Sequence, residues 1–304
     1  MRPVNRGARP THSNGQLKTY DNYGSLRQDL IARIGEYCSY CETPLGANLA
    51  IEHVLSKVFS INEVDWNNSL LACTNCNSHK KDKTLSERDL NNYYWPSVTY
   101  PASFNTFDML QYTKANVTLQ SLIDTGVLTL PRARARKAYV QASYNMVWVR
   151  VNPAYVGGQR EAKIKATINL TGLNDYVPTS FEPRASDRRI TNRTIAWDRA
   201  VLAASNLNKY YVNYNVAYTH NAGNLPAQQG VITNANADAS IILLKKQIQY
   251  LAVATGFWSV WVTAFKDPSR TFINETVRNS LICELFGPAR FAGTRPPFAG
   301  ITGC

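Results

Sequence analysis

CSYCETPLGANLAIEHVLSKVFSINEVDWNNSLLACTNCNSHKKDK, residues Cys38 to Lys83, is the stretch from which the rest of this chain is read. Two C-x-x-C pairs, Cys38/Cys41 and Cys73/Cys76, bracket a Glu52-His53 dipeptide and a Trp66-Asn67-Asn68 turn, and Asn77 and His79 follow the second pair directly. Each C-x-x-C sets two thiolates on one tight knuckle, and two knuckles complete a tetrahedral zinc site. In a module this small the metal substitutes for a core too thin to hold itself together.

Local pattern gives the order of elements around these residues. Leu26, Leu30, Ile31 and Ile34 recur at helical spacing, so a short amphipathic helix delivers Cys38. Leu49 to Val54 is apolar enough for a buried strand carrying Glu52-His53. After a polar loop, Leu70-Leu71-Ala72 forms a second short strand. Thr74 or Asn75 then caps a helix through Asn77, His79, Lys80, Lys81 and Lys83. A neighbouring carboxylate and imidazole are what metal-assisted phosphodiester hydrolysis needs. Hard carboxylate oxygen suits Mg²⁺ or Mn²⁺, and imidazole neutral near pH 7 takes a proton from water.

Outside this segment the chain is less specific. Its 304 residues carry a formal charge of +12, which favours an anionic partner such as nucleic acid, and 44% hydrophobic content supports real cores. Residues 1–24 read as an irregular basic arm without the apolar run of a signal peptide. With thiols arranged for metal, a cytoplasmic location is expected. Pro96 and Pro101 mark a boundary between residues 1–95 and 96–304. Segments 106–124 and 132–150 have mixed periodicity and read as helical. Residues 132–199 hold 13 Lys/Arg against 5 Asp/Glu. Within them Arg189 and Arg193 fall near one helical face that either tracks a phosphate backbone or is simply solvated. The uncharged run Gln247 to Phe265 approaches membrane-spanning length, but its polar residues dilute it, and it reads as a buried helix of the C-terminal part. Tyr210, Tyr211 and Tyr214 serve either base stacking or core packing. Cys283 reads as a buried thiol and Cys304 as incidental. His12 and His220 have no partner visible in sequence.

The order Cys-x-x-Cys, Glu-His, Trp-x-Asn, Cys-x-x-Cys-Asn-x-x-Lys resembles the HNH endonuclease family, whose fold is called ββα-metal. The resemblance implies an α+β protein: a zinc-stapled ββα-metal domain at 1–95, then a larger, mainly α-helical domain at 96–304 for substrate or partner binding. Position by position it implies that Glu52 is the acidic ligand of a catalytic Mg²⁺ or Mn²⁺ and His53 the general base. Asn68 becomes the residue that fixes the base imidazole through a backbone contact and shapes the loop, and Asn77 the last metal ligand. The separation 77 − 68 = 9 agrees with the family and selects Asn68 over Asn67. Two positions depart from the commoner pattern: Glu52 stands where Asp is usual, and Asn77 where His is usual. His79 lies about 200° around the helix from Asn77, so it points away from the metal as a phosphate contact or a surface residue. Lys80, Lys81 and Lys83 are placed to contact a nucleic-acid backbone.

The strings MRPVNRG, CSYCE, IEH and LLACTNCNSHK resemble HNH nucleases of prokaryotic anti-phage systems, of the Septu and retron-associated kinds. This implies an effector acting on DNA, expected double-stranded, beside an ATPase partner and without a membrane. An RNase on the same scaffold, or a non-catalytic zinc module that binds nucleic acid, would use much of the same sequence. The large basic appendage further suggests that the C-terminal region, or a partner docked on it, occludes or positions the site.

Overall fold

Glu52 and His53 are carried by strand β1 (Leu49–His53), which pairs antiparallel with β2 (Ser69–Cys73) in a register running from Leu49↔Cys73 to His53↔Ser69. The computed structural model describes residues 1–47, 49–60, 62–81, 85–97, 106–128, 143–175, 187–221, 234–269, 275–294 and 301. Helix α1 (Tyr23–Ile34) precedes the pair and buries Leu26, Leu30 and Ile34, the spacing that its sequence announces. Its start is capped by the Asn22 side chain, which accepts from the Ser25 N–H, and it stops at Gly35. Helix α2 (Thr74–Lys81) begins without a break after β2 and packs on both strands. The expected strand, loop, strand, helix order is therefore the observed one.

The remainder wraps this module. A second antiparallel pair, β3 (Leu110–Thr118) and β4 (Ser143–Val151), meets in nine-residue register from Leu110↔Val151 to Thr118↔Ser143. Helices follow: α3 (Gln159–Leu170), α4 (Arg189–Asn221), α5 (Asn234–Thr255), α6 (Trp258–Lys266) and α7 (Glu275–Phe286). The fold is mixed α and β, with a mostly helical C-terminal part. The helical reading of 106–124 holds at Thr106–Met109 and Leu119–Asp124 but is corrected at Leu110–Thr118, which is strand. That of 132–150 is corrected from Ser143 onward, also strand, and residues 132–142 lie outside the described residues. SYNMVWVRV is rich in β-branched and aromatic residues, and pairing with a partner strand outweighs its mixed local periodicity.

The uncharged run 247–265 is also not one helix. It breaks between α5 and α6 at Gly256 and Phe257, both with positive φ. A Cβ on Gly256 would lie 2.5 Å from the Glu42 carbonyl oxygen, and the Phe257 N–H donates to that same oxygen at 3.0 Å. The break is where the helical part presses on the first cysteine knuckle. Among the described residues no helix is long and apolar enough to cross a membrane.

Among the described residues, two clusters form the interior. The larger runs from Met1, Leu26 and Trp66 through Trp95 to Trp148, Ile168 and Val260, so it crosses residue 95. The smaller gathers α4–α7 around Trp258, Trp261 and Phe286. The arm 1–24 is irregular but not a loose basic tail. Arg2 and Arg6 are buried: Arg2 donates to the carbonyls of Ile34 and Ala292 at 2.8 Å each, and Arg6 to the Ser69 carbonyl at 2.6 Å. Tyr211 packs against the smaller cluster, so its aromatic ring serves the core; Tyr210 is half-buried, and the Tyr214 side chain lies outside the described residues. Cys283 is half-buried and disulfide-bonded rather than a free core thiol.

Candidate active site

The four cysteine sulfurs of the two knuckles converge to within 4.8 Å of one another, and all four residues are buried. Cys73 closes β2 and Cys76 opens α2, so one strand-to-helix junction supplies half the set. The Cys38/Cys41 knuckle docks alongside through the Ser39 N–H, which donates to the Leu71 carbonyl at 2.8 Å. Cys41 and Cys73 sulfurs are 3.7 Å apart. A tetrahedral zinc with Zn–S bonds of about 2.3 Å has sulfur–sulfur edges of about 3.8 Å, so the cluster fits that ion.

Arg189 reaches this cluster from the far side. Its guanidinium donates to Cys76 Sγ at 3.0 Å, to the Thr171 carbonyl at 2.8 Å and to both oxygens of Asp187. Burial works against its charge, but Cys76 and Asp187 more than offset that, and its pKa is raised. Arg193 is equally enclosed, donating to the carbonyls of Val147 and Leu173. Both residues are at most 3% exposed. The phosphate-tracking expectation for this pair is therefore corrected. Their helical face meets the module instead of solvent, and their donors are consumed inside.

Glu42, the residue that completes the CSYCE string, is a second tie that the sequence leaves silent. Its carboxylate accepts from the Arg2 N–H, the Ser259 N–H and the Ser259 hydroxyl at 2.6–2.7 Å, and lies 3.4 Å from the Met1 amino group. Arm, knuckle and α6 thus meet on one buried carboxylate. No local pattern signals such a contact.

Glu52, His53, Asn77 and Lys80 line one open cavity of about 650 Å³, together with Tyr23, Arg27, Ser56, Lys57 and Val58. His53 is 7% exposed. Its Nε2 faces the backbone carbonyl of Glu63, which only accepts, so Nε2 carries the hydrogen and Nδ1 keeps the lone pair. Burial lowers the His53 pKa, with the Glu63 carbonyl opposing, so the imidazole is neutral at pH 7. Tyr23 of α1 meets the ring edge-on, and its hydroxyl donates to the Glu63 carboxylate, as does Lys57. Glu63, Tyr23 and Lys57 are contributors that motif spacing does not name.

Asn68 is buried and Asn67 exposed. Asn68 Oδ1 accepts from the Leu55 N–H at 2.6 Å and its amide donates to the Leu55 carbonyl at 3.0 Å, while the Val54 N–H donates to the Asn68 carbonyl. The clamp fixes the backbone that leaves His53 and shapes the loop. The imidazole itself is held by Glu63.

Glu52 is buried, with Oε1 2.7 Å from Lys80 Nζ. Lys80 also donates to the His53 carbonyl and sits over the Trp95 ring. Burial raises the Glu52 pKa and Lys80 pulls the other way. Lys80, read as a backbone contact on a helix surface, is thus an internal counter-ion 4% exposed. The side chain of Lys81, and Lys83 entirely, lie outside the described residues. His79 does point away from the site, but not to solvent. It is buried with Nδ1 3.3 Å from the Asp175 carboxylate, against Gly172, where a Cβ would come within 2.6 Å of the imidazole. As oxygen donors on one cavity wall, Glu52 and Asn77 suit a hard divalent cation. His12 is exposed, and the His220 side chain lies outside the described residues.

Fold and site together define a ββα module stapled by four cysteines, with a histidine and a carboxylate at the end of its first strand. Residues 38–83 match the family model described as HNH endonuclease. No curated protein matches the chain at a significant level, and no solved structure does.

Proposed function

We propose that this protein is a metal-dependent endonuclease that hydrolyses phosphodiester bonds of DNA, with His53 as the general base. One observation carries the reading. A neutral His53 is locked in a single tautomer by the Glu63 carbonyl, with Glu52 and Asn77 on the wall of the same cavity. The free Nδ1 takes a proton from water, and the carbonyl bond keeps the ring from turning as it becomes charged. Glu52 and Asn77 would hold Mg²⁺ or Mn²⁺, which when bound stabilises negative charge on the transferring phosphoryl group. Lys57 and Arg27, on the same cavity, attract the phosphate backbone. The zinc knuckles keep strand and helix in register.

The Glu52–Lys80 ion pair favours a second reading, a zinc module that binds nucleic acid without cutting it, because the carboxylate already has a cationic partner inside the protein. The test is cleavage of supercoiled plasmid with Mg²⁺ or Mn²⁺ by the full chain, wild type beside His53→Ala. Nicking that disappears in the variant supports the nuclease. Retained binding with no cleavage by either supports the module, and cleavage of RNA alone moves the substrate to RNA. The likeness to anti-phage nucleases supports a further role as a defence effector beside an ATPase partner. Loss of phage protection in cells carrying His53→Ala is the expected result.

A further inference from the structure

The turn that leaves the site, Lys57–Phe59, carries two large apolar side chains into solvent. Val58 is 81% and Phe59 49% exposed, and Val58 lines the same cavity as His53 and Asn77. Single exposed apolar residues are ordinary on protein surfaces. This pair is adjacent, at the rim of the site, and fixed by backbone bonds. Ser56 exchanges bonds with Leu85, its N–H donating to the Leu85 carbonyl at 3.1 Å and its hydroxyl accepting from the Leu85 N–H at 2.7 Å. The Phe59 N–H closes onto the Ser56 carbonyl at 2.9 Å and the Ser60 N–H onto the Lys57 carbonyl at 3.1 Å. Val58 and Phe59 are therefore held outward by a pedestal to which their own side chains contribute little.

The charges around the pair indicate its occupant. Lys57 adjoins it and Arg27 lines the same cavity. The acid at the rim, Glu63, is already engaged by Lys57 at 3.1 Å and by the Tyr23 hydroxyl at 3.0 Å. His53, in contrast, sits in a recess and is 7% exposed. A phosphate on a straight B-form duplex cannot enter a recess without the groove opening beside it. Apolar side chains inserted at a base step do this, unstacking the step and kinking the duplex. A-form RNA already presents a wide, shallow minor groove and needs no such opening.

We propose that Val58 and Phe59 form a wedge that enters the base stack of double-stranded DNA next to the bond to be cut, opening the groove so that the phosphate reaches His53. The proposal rests on the nuclease reading above, deepening it to a substrate form and a mode of engagement. It also makes the two residues positioning residues, since they act on the DNA and touch no reacting atom.

The test uses the full chain carrying His53→Ala, with and without Val58→Ser/Phe59→Ser, and a DNA duplex with 2-aminopurine at successive positions. Fluorescence rising severalfold at one step on binding, and lost in the serine variant, is the expected result. A rise that survives both serines, or no rise at saturation, overturns the wedge whether or not the protein cuts DNA. With His53 intact, the serines are expected to slow cleavage of a matched duplex about tenfold or more, because the unstacking energy is no longer repaid. A duplex with a bulge at the cut position is expected to lose less than twofold. Equal slowing of both substrates overturns the proposal, as does unstacking confined to RNA duplexes. Both residues are exposed, so zinc content and melting temperature stay at wild-type values. If the wild type cuts nothing, the nuclease reading falls and the fluorescence result alone decides the wedge.

Discussion

Replacing Arg189 with Met separates the structural account of this residue from its reading as a phosphate contact. The guanidinium is 3% exposed and serves Cys76, Thr171 and Asp187 at 2.7–3.0 Å. Met fills much of the volume but leaves Asp187, 7% exposed, without its counter-charge. Removing one partner of a buried ion pair costs about 3–5 kcal/mol. Asp187 keeps one donor, the Arg189 backbone N–H at 3.1 Å, which places the cost near the low end, about 3 kcal/mol. At about 2–4 °C per kcal/mol for a chain of this size, the melting temperature falls by about 6–12 °C. The lost N–H···S bond to Cys76 also loosens zinc by about 10–100-fold, the usual effect of removing an outer partner of a metal ligand. Calorimetry and zinc release to a chromogenic chelator read the two effects. A phosphate contact would do the reverse: melting and zinc retention unchanged, and the salt dependence of DNA binding reduced by about one unit of slope. That outcome would refute the internal role.

Two further perturbations test other ties. Lys80→Met strands Glu52 in the interior and is expected to destabilise the fold by about 3 kcal/mol, with the double variant Glu52→Gln/Lys80→Met recovering more than half; thermal melts of the full cycle check this, and additive effects would show that the 2.7 Å pair is not coupled. A fragment of residues 1–95 loses Arg189, Ser259 and the Trp148 side of the larger core, so it is expected to show no cooperative unfolding by near-UV circular dichroism even with zinc. A sharp transition, or cleavage equal to the whole chain, would count against the shared core and against any role of the C-terminal part in holding the site.

Much of the site was legible because it is local. Residues 38–83 place both knuckles, both short strands and the helix at separations that carry geometry by themselves. Helical spacing puts Asn77 and Lys80 on one face and His79 on another. The convergence of the four cysteines and the order of elements follow from that spacing. The mainly helical character of the C-terminal part was also legible in outline.

What the sequence could not determine are contacts without a local signature. Arg189 meets Cys76 across 113 residues, and Glu42 meets Ser259 across 217. An arginine in a basic run looks the same whether it faces solvent or a thiolate, because the distinction lies in its partner and not in its neighbours. The same holds for Arg2 and Arg6 in the arm, and for Lys80. Strands β3 and β4 depend on each other although they are far apart in sequence, and α5 stops where only glycine tolerates the approach of the Glu42 carbonyl. Spacing within one segment determined the order of elements and the convergence of the four cysteines. Tertiary packing alone decided which charges are buried, because the desolvation of a charge and the partner that offsets it exist only once distant segments meet.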